Sequence, residues 1–230
     1  MPLIEVAGVT HVYGEGTAAR QVLRSVDVRL TEHRVGVVGA NGSGKSTFVR
    51  LLNGLVVPTR GTVRVDGLDT RKDGREVRRR VGFCFTDPDA QIVMPTVRED
   101  IAFGLRRRGL DKAEVAGRVD AMLSTYGLAD HADHPAHLLS GGQKQLLALS
   151  SVLVTEPSIL VMDEPTTLLD LRNAAMVSRV VHGLSQQVVL VTHHLELLDG
   201  FDRVLVFDEG HLVYDGVPAD AVAFYRKLMS

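Results

Sequence analysis

The octapeptide Gly39-Ala40-Asn41-Gly42-Ser43-Gly44-Lys45-Ser46 constrains this chain more than any other stretch. It fits G-x-x-x-x-G-K-[ST], a pattern that carries meaning only where a strand precedes it and a helix follows. Val35-Gly36-Val37-Val38 is a short apolar run of buried-strand type, and Thr47 to Gly54 reads as a helix with Asn53-Gly54 as its stop. The glycines of such a loop let consecutive backbone N–H groups turn inward, and the helix N-terminus adds its positive dipole end, so the loop is suited to wrap a polyphosphate. Lys45 is then placed to reach the β- and γ-phosphates, and the Ser46 hydroxyl to ligate Mg²⁺.

Around that loop the pattern is α/β. Leu3 to Val12 and Val22 to Leu30 alternate apolar and polar residues about a turn at Tyr13-Gly14-Glu15-Gly16, which predicts an antiparallel pair at the edge of the nucleotide site. Tyr13 either stacks on a base or packs the hairpin, and spacing does not choose between the two. Thr62 to Val65 with Asp66-Gly67 reads as a strand and turn, and the basic run Arg71 to Arg80 as a solvated helix face. After a strand at Val81 to Phe85 the text turns helical from Thr86 to Thr155. Thr96 caps a segment through Arg107, Asp111 one through Tyr126 and Ser140 one through Val154, so a helical lobe is expected between strands. Strands at Ile159–Met162, Val188–Val191 and Val204–Phe207 alternate with helices at Leu171–Leu184 and around Leu195–Leu198, the signature of a parallel sheet. His211 to Tyr214 reads as a small closing strand and Pro218 to Leu228 as a last short helix.

Composition excludes several classes of function. A net charge of −2 over 230 residues makes no electrostatic case for nucleic acid. No apolar run approaches the roughly 20 residues of a membrane span, so membrane work is expected to go through a partner. The N-terminus lacks the charged and apolar regions of a signal peptide, and the single cysteine, Cys84, leaves no internal disulfide, which together predict a cytosolic location.

Two further stretches carry chemistry. Ile159 to Met162 delivers Asp163 and Glu164 to a strand end, where alternation should point the two carboxylates apart; Asp163 is assigned to the Mg²⁺ shell opposite Ser46, and Glu164 to polarising the attacking water as general base. Leu139-Ser140-Gly141-Gly142-Gln143 opens a helix, so Ser140 and the next N–H groups form a second anion-binding helix N-terminus. One site sits in the sheet lobe and the other in the helical lobe. Two chains facing head to tail would each offer Ser140-Gly141-Gly142 to the γ-phosphate held by the other's Lys45, a symmetric arrangement. His131, His134 and His137 suggest a metal at first sight, but Pro135 interrupts their helix and no carboxylate or cysteine joins them, so a polar loop is expected.

The phosphate loop, Leu-Ser-Gly-Gly-Gln, Asp-Glu after an apolar strand and Thr192-His193 downstream, in that order, resemble an ABC transporter nucleotide-binding subunit. Phe83 to Gln91 with Pro95 to Gly104 is similar to the ATPases of energy-coupling factor importers for vitamins and metal ions. The resemblance implies an α/β P-loop NTPase (ABC ATPase) fold with a RecA-like sheet core, an antiparallel β subdomain and an inserted α-helical subdomain at about 86–155, all in one domain over 1–230. It implies ATP and Mg²⁺ as cofactors and a head-to-tail homodimer, with a heterodimer left open. It also implies a transmembrane coupling subunit, a substrate-capture membrane subunit and a place on the cytoplasmic face of the membrane. Residue by residue, it makes Tyr13 the adenine-stacking ring, Gly39 to Thr47 the phosphate loop, Ser140 to Gln143 the signature stretch, and His193 the switch histidine on the γ-phosphate. Thr167 to Asp170 matches the loop by which protomers sense each other, with only Leu169 and Asp170 identical to the usual Ser-Ala-Leu-Asp, and Asp87 to Gln91 the region facing the membrane partner. Where the family usually has Gln after the phenylalanine, this chain has Thr86, so either Thr86 acts through a bridging water or Gln91 takes the part after a loop rearrangement. The short tail and the Thr86-Asp87-Pro88-Asp89 wording point to biotin as the transported substrate, with cobalt or nickel next. A soluble ABC ATPase acting on DNA or ribosomes and an exporter subunit are the alternatives.

Overall fold

Period-two burial builds the first hairpin. In the computed structural model, which describes residues 2–106 and 108–230, β1 (Ile4–Tyr13) and β2 (Arg20–Leu30) pair antiparallel, Ile4 facing Leu30 and Tyr13 facing Arg20. Ile4, Val9, Leu23, Val26 and Leu30 go inside, while Arg24, Asp27 and Arg29 between them stay out; His11, 7% exposed, is the polar exception on β1. β3 (Arg34–Gly39) is buried along its whole length and runs through the phosphate loop into α1 (Lys45–Leu52). β4 (Arg60–Val65), β5 (Leu68–Asp69) and α2 (Gly74–Arg80) follow, and α2 buries only Val77 while its arginines stay on the surface, the solvated basic face that was expected. Next come β6 (Val81–Cys84), α3 (Val97–Phe103), α4 (Lys112–Thr125), α5 (Gly141–Leu153), β7 (Ile159–Asp163), α6 (Leu171–Gly183), β8 (Gln187–Val191), β9 (Arg203–Asp208), β10 (His211–Gly216) and α7 (Pro218–Leu228). The helix anticipated around Leu195–Leu198 is a single 3-10 turn.

The chain divides into two compact units. The first comprises Met1–Val81, Ser158–Glu164 and Leu184–Ser230. It holds an antiparallel sheet of order β2-β1-β4-β5 and a second sheet in which β10, β9, β3, β8 and β7 lie side by side. In the second sheet β9, β3, β8 and β7 are parallel, and β10 joins β9 antiparallel. Strands covered on both faces have no polar side to show, which is why β3, β7 and β8 read as continuous apolar runs. Phe48 of α1 meets Phe207 of β9 with ring centroids 4.8 Å apart, fixing α1 on the sheet. The carboxyl ends of β3, β7 and β8 open at one edge of this sheet, where parallel α/β sheets place their ligands.

The second unit comprises Gly82–Pro157 and Pro165–Gly183. The expected helical segment 86–155 falls inside it, but the unit also takes in α6, which the sequence pattern assigned to the sheet's own βα succession. Its core gathers Val97, Ile101, Leu123, Leu128, Leu147 and their neighbours, with Met176 and Val180 of α6 packed against them. Three helices begin with reciprocal capping boxes: Thr96 with Glu99, Asp111 with Glu114, and Ser140 with Gln143. α3 ends at Phe103, before the expected limit at Arg107, which lies outside the described residues. Asp100, 3% exposed, accepts from the Val93 and Met94 N–H groups at 2.8 and 3.0 Å and from the Ser151 hydroxyl at 2.8 Å, so a buried carboxylate ties the preceding loop to α5.

Candidate active site

The phosphate loop follows from glycine at positions where a side chain has no room. Gly44 has φ +102°, and a Cβ there would stand 2.8 Å from both the Val22 carbonyl oxygen and a Leu23 methyl. Ser43 N–H donates to the Ala40 carbonyl at 3.1 Å and Phe48 N–H to the Gly44 carbonyl at 2.8 Å, which closes the loop onto the first turn of α1. Lys45 is 5% exposed, and its Nζ donates to the carbonyls of Gly39 (2.8 Å) and Ala40 (2.9 Å). Burial pulls its pKa down from the usual lysine value, against the pull of Glu164 and Asp163. Two carbonyls thus hold the ammonium over the loop. Tyr13 is 42% exposed, meets His11 edge to face at 4.5 Å, and lies 3.5 Å from Thr47 Oγ1 through its hydroxyl, an open ring beside the start of α1.

The end of β7 supplies the acid. Ser46 Oγ donates to Asp163 Oδ1 at 2.9 Å, and Arg50 Nη2 stands 3.2 Å from Asp163 Oδ2. Asp163 is 1% exposed, and burial raises its pKa above the ordinary carboxylate value despite Ser46 and Arg50. A hydroxyl beside a carboxylate is an all-oxygen donor set, which fits Mg²⁺, an ion held through one or two carboxylates together with phosphate oxygens.

Glu164 departs from the expectation. β7 ends at Asp163, so strand alternation does not separate the two carboxylates. Glu164 instead sits in the left-handed region at φ +52°, a conformation costing a non-glycine residue on the order of 1 kcal/mol, and its N–H is secured on the Val191 carbonyl at 3.0 Å. This turn brings Glu164 Oε2 to 3.4 Å from His193 Nδ1. His193 follows Thr192, whose N–H donates to Val37 O at 3.2 Å, so β3 and β8 together set the histidine's place. The rings of His193 and His194 lie 4.2 Å apart, and His194 Nδ1 is 3.2 Å from Glu196.

In the helical unit, Ser140 caps α5, accepting the Gln143 N–H at 3.4 Å while Gln143 Oε1 accepts the Ser140 N–H at 2.9 Å. Gly142 passes Asn173 of α6 so closely that a Cβ would stand 2.2 Å from its Oδ1, a contact no local pattern announces. Gln91 would need the loop rearrangement considered for it before it could serve a metal. Its Oε1 accepts the Phe85 N–H at 3.0 Å and its Nε2 donates to the Ala148 carbonyl at 2.9 Å, so both ends of the amide brace the loop to α5. Thr86 is half-buried.

Among the described residues no group of three or more His, Cys, Asp and Glu is gathered to hold an ion, the histidine cluster included. Two of its members do something that sequence reasoning missed. Gln143 Nε2 lies 2.8 Å from His131 Nε2, and His131 Nδ1 lies 2.9 Å from His134 Nδ1. An amide nitrogen only donates, so His131 Nε2 must accept and its proton stands on Nδ1. That direction fixes which way the Gln143 amide faces and leaves its oxygen for Ser140. The i, i+3 spacing of His131 and His134 was the available signal; their link to Gln143, twelve residues on, was not. His131→Leu is therefore expected to lower the melting temperature by the equivalent of about 1 kcal/mol, the worth of a helix cap. His131→Gln, which keeps an acceptor, should restore most of that loss in a thermal melt.

Residues 23–167 match the sequence model of the family described as ABC transporter. Over 215 residues the chain is 51% identical to the biotin transport ATP-binding protein BioM of Rhizobium etli, covering 94% of this chain and 96% of that one. It is 42% identical over 234 residues to the energy-coupling factor transporter ATP-binding protein EcfA1 of Symbiobacterium thermophilum, covering 96% and 82%. The solved structure of cbiO1 from Clostridium perfringens, part of the ABC transporter complex cbiONQ, superposes with a TM-score of 0.84 at 30% identity, covering 98% of this chain and 92% of that one.

Proposed function

Because the chain belongs to the ABC transporter family, we propose that it powers an energy-coupling factor importer as an ATP-driven, head-to-tail homodimer on the cytoplasmic face of the membrane. Its own activity is that of an ATP-binding, Mg²⁺-dependent ATPase. The observation that carries the reading is the meeting, at one sheet edge, of Ser46 with Asp163 at 2.9 Å and of Glu164 with His193 at 3.4 Å.

In this reading Tyr13 stacks on adenine, the N–H groups of Gly39 to Thr47 cradle the phosphates, and Lys45 leaves its two carbonyls for the β- and γ-oxygens. Bound Mg²⁺, held by Ser46 and Asp163, would neutralise charge on the phosphate oxygens. Glu164 takes a proton from the attacking water, whose oxygen bonds to the γ-phosphorus as the bond to the β–γ bridging oxygen breaks and its electron pair leaves with ADP. His193 orients Glu164 and contacts the γ-phosphate. Ser140, Gly141 and Gly142 of the second copy close over that phosphate, and Gln143 completes the signature stretch. Thr86 reaches the water through a second water molecule, its hydroxyl being too short to span directly.

The dimer docks on a transmembrane coupling subunit serving a substrate-capture subunit, which fits a chain with no helix, among the described residues, long and apolar enough to cross a membrane. Biotin is the first choice of transported substrate, in line with the 51% identity to a biotin transport protein, and a cobalt or nickel ion the second. Tagging the chain in its own membranes and identifying what co-purifies tests this. The expected result is an integral membrane pair whose reconstitution takes up labelled biotin. Recovery only with ribosomes or DNA would overturn the importer reading, and uptake of Co²⁺ or Ni²⁺ with no biotin would move the substrate to the second choice.

A further inference from the structure

One cation in the nucleotide pocket has no role in the scheme above. Arg20 starts β2 directly opposite Tyr13, the last residue of β1. Residues opposed across an antiparallel pair project from the same face of the sheet, so ring and guanidinium emerge side by side. Both line a pocket of about 350 Å³ together with Val22, Gly42, Lys45 and Ser46. They address different ends of it. The Tyr13 hydroxyl is 3.5 Å from Thr47 at the start of α1, whereas Arg20 Nη2 stands 3.7 Å from where a Cβ on Gly42 would be, at the crown of the phosphate loop. Among the described residues no carboxylate forms a salt bridge with Arg20. A guanidinium is always charged and presents its donors in a fixed fork that matches phosphate oxygens. Lys45 is held inward on the loop carbonyls at 2.8 and 2.9 Å, which leaves the outer rim of the crown to Arg20.

We infer that Arg20 is a further nucleotide-binding residue, gripping the β- and γ-phosphates from the outer side of the loop while Lys45 holds them from within. The inference rests on ATP occupying this pocket. It makes nucleotide affinity depend on the hairpin that also carries Tyr13, so base and polyphosphate are sensed by the two opposed ends of one turn.

Calorimetric titration of the full-length chain with ADP and AMP, and the KM for ATP, test it. Arg20→Ala and Arg20→Gln should each weaken ADP binding about tenfold and raise the KM for ATP to a similar degree, the worth of one charge-assisted hydrogen bond at an open site. Arg20→Lys should fall between them and the wild type, and AMP should bind all four proteins alike. Equal ADP affinity in wild type and Arg20→Gln would overturn the inference and leave the nucleotide site standing. AMP affinity falling in step with ADP would overturn the phosphate contact by placing Arg20 on the nucleoside or α-phosphate. A wild-type chain that binds no ADP would overturn the nucleotide site itself and this inference with it.

Discussion

Glu164→Gln should bind ATP as the wild type does and hydrolyse it roughly 10³-fold more slowly, the loss expected when a positioned general base is replaced by an amide of the same shape. The loop that holds the phosphates is built from backbone N–H groups and Lys45, and the substitution alters neither. What disappears is the carboxylate that faces His193, whose Nδ1 lies 3.4 Å from Glu164 Oε2. The left-handed backbone at φ +52° is unchanged by an isosteric swap, so the fold should melt as before. With hydrolysis stopped, ATP and Mg²⁺ should accumulate a dimer, visible by light scattering during size exclusion. Retention of more than a tenth of wild-type turnover would remove Glu164 from the role of base. A protein that keeps ATP but stays monomeric, alone and with its membrane subunits, would remove the composite dimer instead.

The Asp163→Asn chain should show two opposite effects. Turnover should fall by at least about 10²-fold, because an amide cannot hold a divalent cation beside Ser46 as a carboxylate does. Stability of the nucleotide-free chain should rise, with a melting temperature higher by about 2–4 °C, the shift that ~1 kcal/mol produces in a chain of this size. The reason is that Asp163 is 1% exposed and burial raises its pKa, so the native state tolerates its charge less well than the unfolded state does. The sign follows from linkage. Between the ordinary carboxylate value and the raised one, the native chain keeps the proton and the unfolded chain has lost it, so the favourable contribution present in acid is lost as pH rises through that window. The difference in unfolding free energy between wild type and Asp163→Asn should therefore shift against the wild type as pH rises from acid toward neutrality. Chemical denaturation at a series of pH values reads this directly. A flat difference would mean that Arg50, 3.2 Å away, fully offsets the burial.

Much of this architecture can be read from local pattern. Thr96, Asp111 and Ser140 read as capping residues at helix starts, and each of them caps its helix, closing a capping box with the Glu or Gln three positions on. α7 runs over Pro218–Leu228, the stretch its pattern predicts. These succeed because their hydrogen bonds join residues within one turn. Readings that failed or were absent involve partners that no short window contains. The tie of Gln91 to Phe85 and Ala148 is written in no local pattern, and His131 reaches Gln143 from what reads as a polar loop. α6 follows β7 in the chain, yet its Met176 and Val180 pack in the helical unit, a choice made by side-chain complementarity and not by order.

By itself the amino-acid order determined the phosphate loop, the strands that can be buried on both faces, the capped helices and the residue types available for chemistry, because each depends on periodicity or on a bond spanning a few positions. Only the tertiary structure decided that Glu164 leaves its strand through a left-handed turn to face His193, and that Arg20 rises beside Tyr13. Those encounters depend on which strands lie side by side and in what register, and register is settled by the summed burial of whole sheets, which no single stretch of sequence contains.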